Sequence, residues 1–288
     1  MIDTILELQN ITKNYGKACA LNSFSYCFTP GVYGILGPNG AGKTTLMNII
    51  TDNLRPTSGV VRFNSADIHS LGSSYLAELG YMPQQQAVFS ELTVERFLFY
   101  MSALKGVKKA QAKIQVEELL NTVNLYDSKN KLMRQLSGGM KQRALIASSL
   151  LGFPHILIMD EPTAGLDPKE RIRIRNLISK VSSDKIILIS THVVQDIEAI
   201  AKEIIILKTG EIECSGQISE LLKRLKGRVF DIPSDPSELP DIETAYKCSN
   251  IQNYGDKVVA RVISDSVPDR PHTNAEGTLE ELYLDIFG

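Results

Sequence analysis

At 288 residues, with 43% apolar residues and a formal net charge of −2, the chain can bury a full-sized core plus a smaller appendage, and it lacks the basic excess of a nucleic-acid binder. No uninterrupted apolar stretch is long enough to span a bilayer, and the N-terminus lacks the basic-then-apolar order of a signal peptide, so the chain itself is expected in the cytosol. The four cysteines, Cys19, Cys27, Cys214 and Cys248, show neither CxxC spacing nor a metal-type cluster with histidines, and are expected to be reduced, partly buried thiols.

The first thirty residues read as strands: Ile5-Leu6-Glu7-Leu8-Gln9 alternates, and Phe24-Ser25-Tyr26-Cys27-Phe28 follows before a turn at Thr29-Pro30-Gly31. The apolar run Val32-Tyr33-Gly34-Ile35-Leu36 is another strand. It leads into Gly37-Pro38-Asn39-Gly40-Ala41-Gly42-Lys43-Thr44-Thr45, after which Leu46-Met47-Asn48-Ile49-Ile50 has helical character. Strand, glycine-rich loop and helix in that order cradle the phosphates of a nucleotide. Backbone N–H groups converge at a helix N-terminus, where the dipole favours anions, and glycines let the loop approach closely. Lys43 would sit between the β- and γ-phosphates, and the Thr44 hydroxyl would ligate Mg²⁺.

Pro56, Ser58 and Gly59 turn into Val60-Val61-Arg62-Phe63, a strand of a β-rich subdomain. From about Glu91 to Leu151 the periodicity is helical, with Val116, Leu119, Leu120 and Val123 on one stripe, which reads as a helical insertion. Within it, Ser137 of Leu136-Ser137-Gly138-Gly139-Met140 is a good helix N-cap. One reading is simply a capped helix; the two glycines after the cap add little to helix stability and are normally unfavourable there, so the other reading is that they bare a second helix end toward an anion. Ile156-Leu157-Ile158-Met159 and Ile186-Ile187-Leu188-Ile189 are continuous apolar runs typical of parallel strands covered on both faces. Asp160, at the end of the first run, can reach the shell of a Mg²⁺, and Glu161 can polarise an attacking water. A hairpin is expected from Ile204-Ile205-Ile206-Leu207, the turn Lys208-Thr209-Gly210 and Glu211-Ile212-Glu213. Residues 1–226 carry 26 Lys/Arg and 21 Asp/Glu, whereas 227–288 carry 5 and 12, so a boundary is expected near Gly227. The class is α/β.

Taken together, these segments resemble the nucleotide-binding subunit of an ATP-binding cassette (ABC) transporter. Residues 37–44 match the family's Walker A loop and Ile156 to Asp160 its Walker B strand, with Glu161 at the catalytic glutamate position. Gln84, in Tyr81-Met82-Pro83-Gln84, matches the Q-loop, and residues 136–140 match the LSGGQ signature. Ala164-Gly165-Leu166-Asp167 matches the D-loop, Thr191-His192 the switch histidine, and Tyr15 the aromatic that stacks on adenine. Asp167 also reads as a plain helix N-cap before Pro168.

The resemblance implies an ABC-type P-loop fold with a mixed or parallel core sheet, an antiparallel β-subdomain, a helical insertion at about 91–151 and a small appendage at 227–288. It implies ATP hydrolysis with Mg²⁺, in which Lys43, Gln84, Glu161 and His192 are catalytic. Thr44, Gln84 and Asp160 would serve the metal. Tyr15, Gly37 through Thr45 and Ser137, Gly138 and Gly139 would hold nucleotide. It further implies a second cassette subunit, with two ATP sandwiched head to tail, and a transmembrane permease subunit through which alone the chain meets the membrane, at its inner face. The chain departs from the signature at Met140, where Gln is usual. Thr278-Leu279-Glu280-Glu281-Leu282-Tyr283 resembles the closing segment of subunits serving ABC-2 type exporters, so export is expected; the contrasting reading is a soluble cassette ATPase acting on ribosomes or DNA.

Overall fold

The alternating N-terminal stretch forms β1 (Leu6–Tyr15), which turns back as β2 (Ala18–Phe28), with Leu6, Leu8, Ile11, Leu21, Phe24 and Phe28 buried. After β3 (Gly31–Leu36) and α1 (Lys43–Ile50), β4 (Ser58–Phe63) pairs antiparallel with β1 and is joined by β5 (Ala66–Asp67). The result is a four-stranded antiparallel sheet of order β2-β1-β4-β5. This computed structural model describes residues 4–84 and 89–288, which divide into two compact units meeting at Ser215 and Gly216.

Two short helices, α2 (Ile68–Leu71) and α3 (Ser73–Ala77), lead to β6 (Leu79–Met82). The helical insertion follows as α4 (Val94–Leu104), α5 (Lys109–Thr122) and α6 (Gly138–Ser149). Its expected stripe is present, since Val116, Leu119, Leu120 and Val123 are all buried. Next come β7 (Ile156–Asp160), α7 (Pro168–Val181), β8 (Ile186–Ser190), α8 (Val194–Glu198) and the hairpin β9 (Glu203–Lys208) and β10 (Glu211–Gly216). The hairpin turns through Thr209 and Gly210, both at positive φ (49° and 85°).

The second sheet has the order β10-β9-β3-β8-β7-β6, and β9, β3, β8, β7 and β6 run parallel. The runs in β7 and β8 are buried on both faces, as parallel strands between helical layers must be. Parallel pairing delivers every loop after a strand to the same edge of the sheet. The register makes this sharp: Ser190 aligns with Ile35 on one side and with Asp160 on the other, and Met82 aligns with Met159. The glycine-rich loop, Glu161, His192 and Gln84 therefore leave four strands at one level. Leu46, Met47, Ile49 and Ile50 of α1 are buried in the same apolar cluster as Tyr33, Ile35, Ile158, Leu188 and Ile205, which fixes the start of α1 beneath that edge.

The second unit contains α9 (Ile218–Leu221), β11 (Val229–Ser234), α10 (Leu239–Ala245), β12 (Lys247–Tyr254), β13 (Lys257–Ile263), β14 (Thr273–Asn274) and α11 (Leu279–Phe287). Its antiparallel sheet has the order β12-β13-β11-β14, with a core of Phe230, Ile232, Ile242, Ala260 and Val262. Arg228 grips Asp285 with two hydrogen bonds of 2.8 and 3.0 Å, and Arg261 grips Asp231 with two of 2.8 and 2.9 Å. The packing division at 215/216 falls before the charge step at 226/227. Leu225 is buried and lies so close to Gly277 that a Cβ there would come within 2.7 Å of it, so the residues just before the charge step already pack in the second unit.

No disulfide joins the four cysteines. Cys19 and Cys27, expected to be partly buried, are exposed because both fall on outward positions of β2. Among the described residues no helix is long and apolar enough to cross a membrane.

Candidate active site

The loop after β3 turns sharply into α1. Gly42 is the helix N-cap at φ 105°, and a Cβ there would lie 2.5 Å from the Ala20 carbonyl oxygen, so only glycine fits. The first turn of α1 has neither a side-chain cap nor an acidic residue, which leaves its N–H groups and the positive end of its dipole open to an anion. Lys43 folds back over the loop: Nζ donates to the carbonyls of Gly37 at 2.6 Å and Pro38 at 3.0 Å. Burial holds its ammonium below the ordinary lysine range, while Glu161 and Asp160 pull it back up.

These groups line one cleft of about 640 Å³. Asn39, Gly40, Gly42, Lys43, Thr44 and Thr45 form one wall, Gln84, Asp160, Glu161 and His192 the other, and Ala20 of β2 closes a side. Asp160 is held by the Ser190 hydroxyl, which donates to its Oδ1. Glu161 has a left-handed backbone (φ 53°), an uncommon conformation for a residue with a side chain, and its N–H donates to the Ser190 carbonyl at 2.9 Å. That turn aims its carboxylate at His192: Oε1 accepts the His192 backbone N–H at 3.1 Å and lies 2.8 Å from the ring Nδ1, while Thr191 Oγ1 donates to Oε2 at 3.4 Å. Glu161 is nearly covered, at 10% exposed, and His192 is open to solvent at 70%.

The structure therefore brings Lys43, Thr44, Gln84, Asp160, Glu161 and His192 to one cavity, with Asn39, Gly40, Gly42 and Thr45. Gly37 and Pro38 take part through carbonyls that hold Lys43, and Ala41 is buried behind the loop. Two expected groups stand apart from this lining. Tyr15 lies at the end of β1, 52% exposed, with Lys13 Nζ 5.4 Å from its ring centroid. Ser137, Gly138 and Gly139 begin α6, where the Ser137 hydroxyl accepts the Met140 N–H at 3.3 Å. Asp167 does cap α7, accepting the Glu170 N–H at 2.9 Å.

Ala20 and Ser190 belong to the site without having been singled out in the sequence. Ala20 carries no chemical signal, because only the fold of β2 brings it there. Ser190 did carry one: it is the polar residue that ends the buried run Ile186–Ile189.

The donors facing the cleft that could serve a cation are the Thr44 hydroxyl, the Asp160 carboxylate and the Gln84 side chain, all able to offer hard oxygens. No group of three or more His, Cys, Asp or Glu that could cage a metal occurs among the described residues. That set fits Mg²⁺, which keeps water and phosphate oxygens as ligands instead of demanding an all-protein cage.

A phosphate loop opening a helix at the edge of a parallel sheet, faced by two strand-end carboxylates, defines a P-loop nucleoside triphosphatase. A family model described as ABC transporter matches residues 21–164. The chain is 33% identical over 231 residues to the uncharacterized ABC transporter ATP-binding protein YxlF of Bacillus subtilis (strain 168), covering 79% of this chain and 76% of that protein. It is 34% identical over 250 residues to the bacitracin transport ATP-binding protein BcrA of Enterococcus faecalis, covering 85% and 80%. It spans 9% of the length of ATP-binding cassette sub-family A member 2 of Rattus norvegicus and of Homo sapiens, and 17% of sub-family A member 9 of Mus musculus, which it also matches. Among solved structures, the dimeric bacterial ABC transporter cassette MJ0796 superposes with a TM-score of 0.65 at 28% identity, over 74% of this chain and 98% of that one. The chain belongs to the ABC transporter family, as an ATP-hydrolysing ATP-binding subunit.

Proposed function

We propose that two copies of this cassette, or this one and a related one, close head to tail over two ATP molecules and that closure and reopening drive a separate transmembrane subunit, in the export direction. The observation that carries this reading is the division of the anion-binding groups. Lys43 and the N-terminus of α1 line the cleft, whereas Ser137, Gly138 and Gly139, at the start of a second helix, do not. A second copy can supply them. The similarity to a dimeric cassette supports the same arrangement.

Within such a site each residue has a task that its geometry allows. The α1 N–H groups and Lys43 bind the phosphates, Lys43 exchanging its two carbonyl partners for phosphate oxygens. Glu161 accepts a proton from the attacking water; its left-handed backbone and its contacts with residues 191 and 192 hold it in place. His192, mostly exposed, can donate toward the γ-phosphate while Glu161 orients its ring. Thr44, Asp160 and Gln84 would hold Mg²⁺, which neutralises phosphate charge when bound. Tyr15 would stack on adenine. Loss of the γ-phosphate removes the anion that both halves grip, so the pair reopens.

The helical insertion is the surface proposed for the transmembrane subunit. A cleft of about 990 Å³ between α4 and α5 is lined largely by apolar side chains, among them Phe99, Ala103, Val107, Val116 and Leu120, and Tyr100, Leu104 and Ile114 are exposed nearby. Export rests on the segment Thr278–Tyr283, which here begins α11 with Thr278 and Glu281 in a reciprocal cap.

The half-site reading is tested by mixing two variants. Lys43→Ala destroys the loop half, and Ser137→Glu sets a carboxylate against phosphate at the helix half. Each alone is expected to lack ATP hydrolysis, and the mixture to regain it, since one of its two sites then joins two intact halves. A mixture no more active than its components contradicts the reading. Co-purification of a multi-span membrane protein with the native chain tests the partner.

A further inference from the structure

Gly138 and Gly139, the first residues of α6, are packed against the start of α7. A Cβ on Gly139 would lie 2.3 Å from Oε2 and 2.6 Å from Cδ of Glu170, and one on Gly138 would lie 3.6 Å from Cδ2 of Leu166. The Glu170 side chain, 13% exposed, thus occupies the space that glycine leaves at position 139. It lies in the first turn of α7 and against the first turn of α6, and the positive ends of both helices favour a carboxylate there.

Two arginines face that carboxylate. Arg173 donates to Oε1, and Arg143, one turn along α6 from Gly139, places Nε 3.7 Å from Oε2. At that separation the second contact is an ion pair without a hydrogen bond, and both atoms are buried with no hydrogen-bond partner among the described residues. The far end of Arg143 donates to the carbonyls of Val123 at 2.7 Å and Asn124 at 2.9 Å, just past the C-terminus of α5. Burial lowers the Arg143 guanidinium from its ordinary range, Glu170 raises it and Arg173 lowers it further. Without Glu170, two guanidinium groups would face each other with no anion between them. Arg143 thus links the end of α5 to α6, and the Glu170 carboxylate links Arg143 and the tip of α6 to the start of α7, where the Glu170 N–H is held by Asp167 and Leu166 lies against Gly138.

We propose that Glu170 is a positioning residue for the dimer site: by filling the space over Gly139 it fixes the Ser137–Gly139 tip relative to Ala164–Asp167, so a chain offers its half-site to a second copy only when that turn is in place. Gly139 is then required inside its own chain, apart from any contact with nucleotide. This inference rests on the head-to-tail dimer proposed above.

The test uses the full chain carrying Glu161→Gln, with MgATP, and reads the protein concentration at which half is dimeric. Adding Glu170→Ala is expected to raise that concentration about tenfold or more, the size of a lost contact between coupled residues. ATP affinity of the monomer should stay within about twofold, because Glu170 does not line the nucleotide cleft. Glu170→Gln, which keeps the volume without the charge, should fall between, and it carries the comparison if the alanine variant does not fold. Gly139→Ala should weaken the dimer strongly when Glu170 is present and add little when residue 170 is alanine. Unchanged dimerisation on removing Glu170, or losses from Gly139→Ala and Glu170→Ala that simply add, overturns the inference alone. Failure of the Glu161→Gln chain to dimerise at all overturns the dimer reading and the inference with it.

Discussion

Oε1 of Glu161 lies 2.8 Å from Nδ1 of His192 and also accepts the His192 backbone N–H, so the two residues behave as one unit at the mouth of the cleft. Substituting either should reduce turnover while leaving ATP binding in place. Glu161→Gln is expected to lower kcat by about 10²–10⁴ fold, the usual contribution of a positioned base, and His192→Ala by roughly ten to a hundredfold. The double variant should be no slower than Glu161→Gln by more than about twofold, because residues acting as a unit do not add. Steady-state kinetics on the three variants checks this. Multiplicative losses would show that the two act independently.

ATP affinity should depend on pH through Lys43. Its ammonium is held low by burial in the nucleotide-free chain, and phosphate would raise it, so binding takes up a proton on the alkaline side. Affinity should therefore fall as pH rises through the free-chain value, starting below the ordinary lysine range. Lys43→Met should bind roughly ten- to a hundredfold more weakly, the loss of a charge-assisted contact, and should lose that alkaline fall. Fluorescent-nucleotide titrations between neutral and alkaline pH measure both. The same alkaline slope in wild type and variant would remove Lys43 from the account.

Lys105 gives a stability prediction away from the site. Its Nζ donates to the carbonyls of Ser149 and Leu151 at the end of α6, at 3.0 and 2.9 Å, and burial pushes its ammonium down to about 8 from 10.5. The folded chain thus binds fewer protons than the unfolded chain between those values, and stability rises with pH in that window. Wild type should gain up to about 3 kcal/mol over Lys105→Met as pH rises through it. Urea unfolding at the two ends of the window measures the difference, and parallel pH dependence in the two proteins would contradict it.

Gly34, in the middle of β3, holds α8 close to the sheet. A Cβ there would come within 2.4 Å of Ile197 and 2.7 Å of Ile204, and Ile197 lies on the helix that follows His192. Gly34→Ala should cost about 1–3 kcal/mol of stability by overpacking and displace the His192 segment, lowering kcat more than ATP affinity. Thermal unfolding and kinetics check the two halves of this statement. A stable variant with wild-type kcat would show that α8 moves without disturbing the site.

Much of the architecture is local enough to read in one dimension. The strand, loop and helix around Lys43 follow from neighbouring residues, as do the buried strands ending at Asp160 and Ser190, the capped helix at Ser137 and the turn at Thr209 and Gly210. Asp167 was legible as an N-cap before Pro168, and the structure gives it that role. What stayed hidden depends on distant pairing. Ser190 holds Asp160 only because β8 aligns with β7, and Ala20 reaches the cleft only because β2 folds over Gly42. Glu170 reads as an ordinary first-turn acid until α7 is seen against Gly139. The division at 215/216 was hidden too, because charge follows surface composition and packing follows buried leucines such as Leu225.

The central claim is that two half-sites close over ATP, and the mass of the Glu161→Gln chain in solution tests it most directly. With saturating MgATP, sedimentation equilibrium should give twice the 31.8 kDa of one chain, and with ADP it should give the single mass. A single mass in ATP, at protein concentrations where nucleotide is demonstrably bound, would contradict the account.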